Sequence, residues 1–594
     1  MLSIPSLVLL AAACLIVFAS CRPSAHPLAE RAYRHHRAIC LTLFALGCAL
    51  RLIALGTLPS GLSAEEALVG VQAKALWQTG GFYPDGMLTT VLPQWKGETT
   101  GPLLAIITAP FVGLAGISPL SVRLPLVLLS IAAMPAAYAL GCSLSGRSAG
   151  RFMLFIYALC PYFVLGARMT CGANAALFLL PIASALLAAG LQADPASVQP
   201  DALPGARRAH PHAGSRRLKR FALLCTGMAV LALSAYTQTM MLVIAPAAVL
   251  GAAAVSLRFG KDRLHALLAS ALGLALSVPA ILTVYVNLSG AEGFVLFGLA
   301  EIPNRALLTR NLPVQLAGAA NLADVVLSLL IKVWCTAVGG IFQAVWVDNL
   351  DPTLYLPDGM LALTVVSLPL ILLGAGALLL RRIDGVRCEA ALVPPRAMLL
   401  MLSAVAFICV VMFGDRGSFD IGGAPDVFDH AILFLPAALL MTAGWRQMQR
   451  RSAAGTRLLS GLLAVCVVWL GAHLFGGAYQ AGATTYFDGF ADACARARAI
   501  QAETGAQVNV TTTVYPHVEP DAAARVMYLC ATDADMREEQ LFTDIYAPGL
   551  EGMDDTQIYI VASEDTMYLD WGDMSFESFD SFAVIYPAEE QSDN

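Results

Sequence analysis

The chain is a succession of long apolar runs separated by short polar breaks, and the runs recur near the length a helix needs to cross a bilayer, about 20 residues. They fall at 3–20, 38–56, 122–141, 150–167, 174–191, 220–236, 240–257, 264–286, 360–380, 398–413, 430–446 and 458–476. Each predicts a membrane-spanning helix. The stretch 102–117 is shorter and is punctuated by Pro102, Pro110 and Pro119, so it predicts a helix lying on the outer membrane surface. After residue 477 the pattern changes. Gln507–Val514 and Gln557–Val561 read as strands, with a helix over about 487–503 before the first of them. The pattern therefore predicts an all-α polytopic membrane protein of about 11–13 transmembrane helices, carrying a small C-terminal α/β domain.

Composition agrees. Hydrophobic residues make up 58 % of the 594 and charged ones 13 %, with a mean hydropathy of +0.69, which excludes a soluble domain. Basic clusters set the orientation, because short loops rich in Lys and Arg stay in the cytoplasm. Arg31, Arg34 and Arg37 precede the second run, and Arg147 and Arg151 lie at the junction of the third and fourth. Further clusters run from Arg207 to Arg220, Arg258 to Arg263, Arg381 to Arg387 and Arg446 to Arg457. All of them can be cytoplasmic at once, which leaves 57–121, 287–359 and the tail outside, with 325–345 as a peripheral or re-entrant helix. The run 3–20 resembles a signal sequence but lacks basic residues before it, so it is read as an extra span. The expected organisation is 1–37 as that span with a basic segment, 38–476 as the transmembrane domain, and 477–594 as an acidic external domain. In the last of these, 22 Asp or Glu stand against 4 Arg, a balance that fits solubility. The net charge of −6 averages two unlike faces and says little about partners.

Candidate chemistry is concentrated in one place. Leu58-Pro59-Ser60-Gly61-Leu62-Ser63-Ala64-Glu65-Glu66-Ala67 puts two adjacent carboxylates just past a span. Acids held at a membrane surface are costly and mark functional sites. The same stretch also reads as a helix N-terminus, with Ser63 as cap and Glu66 as its capping-box partner. The two readings are compatible, since a capped helix holds Glu65 still. Most of the 14 cysteines lie in apolar runs, where Cys behaves as a small hydrophobe. Cys494 and Cys530 are the pair available for an external disulfide. No His/Cys spacing marks a metal centre, and no P-loop or Rossmann glycine motif marks a nucleotide site. Nothing points to nucleic acid.

Several external segments carry a recognisable pattern: Pro59-x-Gly61-Leu62-x-x-Glu65-Glu66-Ala67-x-x-Gly70, then Leu76-x-x-x-Gly80, Gly101-Pro102-Leu103, Leu114-x-Gly116-x-Ser118 and Val122-Arg123-Leu124-Pro125. Pro161, Ala167-Arg168, Ala173-Asn174, Ser234-x-Tyr236-Thr237, Pro246 and Tyr486-Phe487 follow in order. This series resembles the GT-C membrane glycosyltransferases, and more narrowly the protein-mannosyltransferase and aminoarabinose-transferase-like branch. The resemblance implies transfer of a sugar from a polyprenyl-phosphate carrier to a lipid, protein or wall-polymer acceptor. It places the reaction on the outer face of a bacterial plasma membrane. A donor arriving through the bilayer needs no nucleotide motif. Two departures stand out: the family usually has Asp-Glu where this chain has Glu65-Glu66, and a second acid common near the start of the next span has no counterpart in 166–175. A divalent metal requirement is left open.

Inverting transfer needs a base for the acceptor hydroxyl and a partner for the leaving phosphate. Glu65 is the expected base, its carboxyl raised by the edge of the low-dielectric membrane. Glu66 is expected to hold an acceptor or orient the loop. Lys96, Arg123 and Arg168 are the foremost cations for the phosphate, with Arg305 and Arg310 behind them. Asn174 and Tyr236 are expected to line the cavity with Gln238 and His430. Asp348, Asp351 and Asp358 form an external acidic cluster, read as a solvated loop. The competing classes are a transporter or flippase, which would carry pseudo-symmetric halves with broken spans, and an inactive relative acting as a membrane scaffold.

Overall fold

The structure, a computed structural model, describes residues 4–20, 36–59, 61–83, 86–93, 99–191, 213–260, 262–305, 333, 363, 366–379, 393–413, 431–476, 489–511, 520–533, 535–536, 542–546, 553–563, 566, 572 and 574–588. It divides into two compact units. One comprises Met1–Ile53, Leu126–Gly293 and Ile302–Leu474, the other Ala54–Pro125, Phe294–Glu301 and Phe475–Asn594.

The first unit is helical. It contains α1 (Ile4–Ser20), α2 (His36–Leu52) and most of α5 (Pro119–Ser145), then α6 (Arg147–Leu159), α7 (Pro161–Leu165) and α8 (Gly172–Leu191). These are followed by α9 (Ala213–Leu233), α10 (Thr239–Phe259), α11 (Arg263–Ser289), α12 (Ser367–Leu379), α13 (Val393–Phe413), α14 (Phe434–Arg451) and α15 (Ala453–Phe475). Among the described residues six helices are long and apolar enough to cross a membrane, or seven if the bent pair α6–α7 is one span; α1, α12 and α13 also contain shorter apolar helices. Length and composition together make this an integral membrane protein.

The run expected as one span at 150–167 is broken. Cys160 is extended, Pro161 opens a new helix, and the two halves meet at 58°. The break leaves carbonyls at the end of α6 without intrahelical donors. Arg51, fully buried, supplies two of them, Nη2 donating to Tyr157 O at 2.6 Å and Nη1 to Ala158 O at 2.9 Å, while Nη2 also reaches Phe163 O of α7 at 2.8 Å and Nη1 reaches Gly47 O of α2 at 2.9 Å. Its Nε donates to Ser130 Oγ at 3.0 Å. All five guanidinium N–H groups therefore meet acceptors, which is the condition for holding this side chain in an apolar interior. Elsewhere helices approach through glycine. A Cβ on Gly374 of α12 would collide with Leu440 O of α14, and one on Gly444 would collide with Leu370 O.

The second unit joins two distant parts of the sequence. Its N-terminal part holds α3 (Ala64–Thr79), the first residues of α5, and α4 (Leu103–Ala115), the helix expected at 102–117. Short strands β1 (Leu88–Thr89), β2 (Leu92–Pro93) and β3 (Thr99–Thr100) lie between α3 and α4, while β4 (Phe294–Leu296) and β5 (Ala300–Ile302) come from far along the chain. β5 runs parallel to β1, with Leu88 opposite Ala300 and Thr89 opposite Glu301.

The C-terminal part is α/β: α16 (Phe490–Thr504), β6 (Val508–Thr511), α17 (Pro520–Ala531), β7 (Phe542–Tyr546), β8 (Ile558–Ala562), β9 (Ser575–Phe579) and β10 (Phe582–Tyr586). The sheet order is β7-β6-β8-β10-β9, with β6 parallel to both neighbours and β10 antiparallel to both of its own. Strand β8 is buried on both faces. Ile558 and Ile560 enter a core with Val508, Val510 and Val584, while Tyr559 and Val561 pack with Ala583 and Ile585. That explains its unbroken apolar run. The larger of the two cores continues into Ala67, Leu68 and Val71 of α3, so the carboxylate-bearing helix is one wall of the α/β layer.

Candidate active site

Helix α3 starts where the sequence places its cap. Ser63 Oγ accepts from the Glu66 N–H at 3.3 Å, and Glu66 Oε2 accepts from the Ser63 N–H at 3.2 Å, closing a capping box. Arg123, in the second turn of α5, then clamps the same carboxylate. Its Nε donates to Glu66 Oε1 at 2.8 Å and its Nη2 to Oε2 at 2.7 Å. Both side chains are fully buried. The remaining reach of the guanidinium goes to the loop before the helix, with Nη1 donating to Pro59 O at 2.8 Å and Nη2 to Gly61 O at 2.7 Å. Gly61 has φ +65°, a left-handed conformation that glycine adopts at no steric cost.

This geometry separates the two carboxylates. Glu66 is spent on the cap and the arginine. Glu65 is the only position from Leu62 to Ala75 that is not buried. Arg123 is expected from the sequence to meet a phosphate, but here it is enclosed by Glu66 and backbone carbonyls; the cation stabilises the loop rather than presenting itself to a ligand.

The far end of α3 is held as well. Lys74 Nζ pairs with Asp533 Oδ1 at 2.6 Å and also donates to Asp533 O. The same Oδ1 accepts from the Ile117 N–H at 2.9 Å, and Gln78 Oε1 accepts from the Met536 N–H at 2.8 Å. Sequence reasoning missed Asp533, for it is one acid among many in an acidic tail. Cys494 and Cys530 lie in this core as free, buried thiols rather than a disulfide. Burial pushes the Cys530 thiol up to about 12, with the negative charges of Glu66 and Asp533 adding to the effect and Lys74 opposing it.

The other sequence candidates lie in the helical unit. Arg168 is fully buried, and its Nη1 donates to Leu50 O, Arg51 O and Ile53 O at 3.0–3.1 Å, capping the end of α2. It too is a helix-terminus residue in this structure, not a cation facing outward. Asn174, also fully buried, donates from Nδ2 to Met169 O at 3.1 Å, and its Oδ1 has no partner among the described residues. Tyr236 donates from its hydroxyl to Leu276 O at 2.8 Å. Arg305 uses its backbone N–H to meet Asn287 Oδ1 at 2.9 Å. Lys96, Arg310, His430 and the Asp348, Asp351 and Asp358 cluster lie outside the described residues, as does 325–345 apart from Val333. Among the described residues no three His, Cys, Asp or Glu side chains are grouped to hold a metal ion. Arg51 is a second residue missed, although an arginine inside an apolar run is itself a signal.

No protein-family model and no curated protein matches the sequence. Solved structures do. One is ArnT from Cupriavidus metallidurans in the apo state, at 13 % identity and TM-score 0.41, covering 92 % of this chain and 97 % of that one. The same protein bound to undecaprenyl phosphate matches at 13 % identity and TM-score 0.40, over 94 % and 98 %. The third is the Archaeoglobus fulgidus oligosaccharyltransferase tethered to an acceptor peptide, at 13 % identity and TM-score 0.43, covering 84 % of this chain and 63 % of that one.

Proposed function

We propose that this chain is a GT-C-type glycosyltransferase of the bacterial plasma membrane. It would transfer a sugar from a polyprenyl-phosphate carrier to a lipid, protein or wall-polymer acceptor on the extracytoplasmic face. The observation that carries the proposal is the division of labour at the start of α3. A capping box and a buried arginine fix the backbone around Glu65, and Glu65 alone in that stretch is left partly exposed. A carboxylate held still and left partly exposed supports the reading of Glu65 as a general base. The ordered series of motifs from Pro59 to Tyr236 supplies the reaction class.

In the proposed step Glu65 takes the proton of the acceptor hydroxyl. The acceptor oxygen forms a bond to the anomeric carbon from the face opposite the carrier. The bond to the carrier phosphate oxygen breaks, and its electron pair leaves with polyprenyl phosphate. Glu66 and Arg123 act as positioning residues. Lys96 is proposed for the leaving phosphate from the sequence alone, as are Asn174 and Tyr236 for substrate contact. Arg168 is proposed to position the end of α2.

The test is sugar release from a radiolabelled polyprenyl-phosphate donor by purified protein in lipid nanodiscs. Glu65→Gln is expected to lower turnover by about 100-fold or more, within the range a general base contributes, while donor binding survives. Equal turnover in both proteins would remove Glu65 from the mechanism. Absence of donor binding in both would sink the transferase proposal.

A further inference from the structure

At the start of α2 the helical unit opens into a pocket of about 520 Å3. Arg37 and Arg147 line it, and both are exposed. His36 and Tyr138 form a polar wall, joined Nε2 to hydroxyl at 3.0 Å. Leu41 and Phe44 supply an apolar wall one and two turns further along α2. None of the lining residues among those described is acidic. Exposed apolar side chains surround it on the same helix: Leu41 in the pocket itself is 68 % exposed, and Ile39 and Leu46, on the other side of α2, are each 40 % exposed.

Two guanidinium groups line the pocket with no carboxylate among its described lining residues, and an anion bound there would offset both charges. Arginine favours phosphate because its planar fork donates two parallel hydrogen bonds. A free phosphate would gain nothing from Leu41 and Phe44, whereas an amphiphile places its charged end on the arginines and its first methylenes on the apolar wall. Arg37 and Arg147 also belong to the basic clusters that orient the chain. Such clusters attract anionic lipids in the membrane surface they face.

We propose that this pocket binds an anionic phospholipid, its headgroup phosphate held by Arg37 and Arg147 beside the His36–Tyr138 pair and its acyl chain against Leu41 and Phe44. The proposal is independent of the transferase function. None of these residues is involved in the chemistry suggested for Glu65.

The full chain in detergent micelles, offered equimolar phosphatidylglycerol and phosphatidylcholine, tests it by native mass spectrometry. Wild type is expected to retain phosphatidylglycerol in about tenfold excess, the scale of surface lysine and arginine contributions. Arg37→Gln with Arg147→Gln should bring the ratio close to one. Arg217→Gln with Lys219→Gln, exposed at the start of α9, should leave it unchanged. If the double variant does not fold, each single variant should still lose at least about half the excess. A ratio unmoved by the pocket variants would overturn the proposal. So would an equal loss in the α9 variant, which would mean diffuse attraction. Displacement of the lipid by millimolar inorganic phosphate would overturn it too, because the site would then read phosphate alone.

Discussion

Glu65 and Glu66 are chemically identical neighbours with different fates, and the difference is made by one arginine 57 positions away in the chain. A buried carboxylate paired bidentately with a buried guanidinium is tolerable, while either group alone is not. Glu66→Ala should therefore destabilise the protein by about 3–5 kcal/mol, and Arg123→Met by a similar amount. The double variant should be less harmed than the sum, because no orphaned charge remains. Thermal melts of the four proteins in detergent check this; additive losses would mean that the pair does not act as a unit. Glu65→Gln, by contrast, keeps the side chain's size at a partly exposed position and should cost clearly less than Glu66→Ala, about 1 kcal/mol or below. Cysteine reactivity gives a second check at this scale. A thiol pushed up to about 12 by burial holds almost no thiolate at neutral pH. Cys530 and Cys494 should resist maleimide in the native protein and react once it is denatured, and peptide mapping of the adducts would show whether they do. Serine capping is legible in the chain itself, because Ser63 and Glu66 sit three apart and a capping box is local. The Arg123 partnership is not, since nothing in a sequence says which carboxylate a distant arginine meets.

At the scale of elements, the apolar runs became helices almost wherever they fall among the described residues, because a backbone in hydrocarbon must satisfy its own hydrogen bonds. The exception is 150–167, where Pro161 breaks the run and Arg51 repairs the exposed carbonyls. How two helices cross is a separate matter, and α12 and α14 do so through reciprocal glycines. An alanine methyl at Gly444 would meet the Leu370 carbonyl, which no rotamer change can move aside. Gly444→Ala should cost about 1–3 kcal/mol, the usual range for overpacking. A melt unchanged from wild type would show that the two helices part without penalty. Two strands of the tail, β6 and β8, were legible from alternation and from the run Ile558–Val561, whereas β7, β9, β10 and the strand order were not. Placing β8 between β6 and β10 depends on contacts made after the chain has turned back twice.

For the whole molecule, the apolar pattern anchors the chain in a membrane, and the charge pattern carries the proposed orientation. With the basic clusters held in the cytoplasm, the acidic tail is expected outside. Alkaline phosphatase fused after residue 594 should be active in bacterial cells and a fluorescent protein fused there should be dark; the opposite pair of results would invert the topology. Reading along the chain divides it into a membrane part followed by a tail. The compact units are drawn otherwise, because 54–125 packs with 475–594 through the shared core of α3, α16 and α17 and through Lys74 and Asp533.

What the sequence determined by itself is the set of properties that depend on near neighbours: hydropathy over a span, the cap of α3 and the acidity of the tail. Each follows from interactions within a few residues or from transfer of a segment between water and lipid. Only the tertiary structure decided which charges are spent. Glu66 and Arg123 neutralise one another, Arg168 and Arg51 cap helix ends, Asp533 secures α3, and Glu65 stays partly exposed. These outcomes depend on which groups lose water together, and burial is a property of the folded chain rather than of any segment in it.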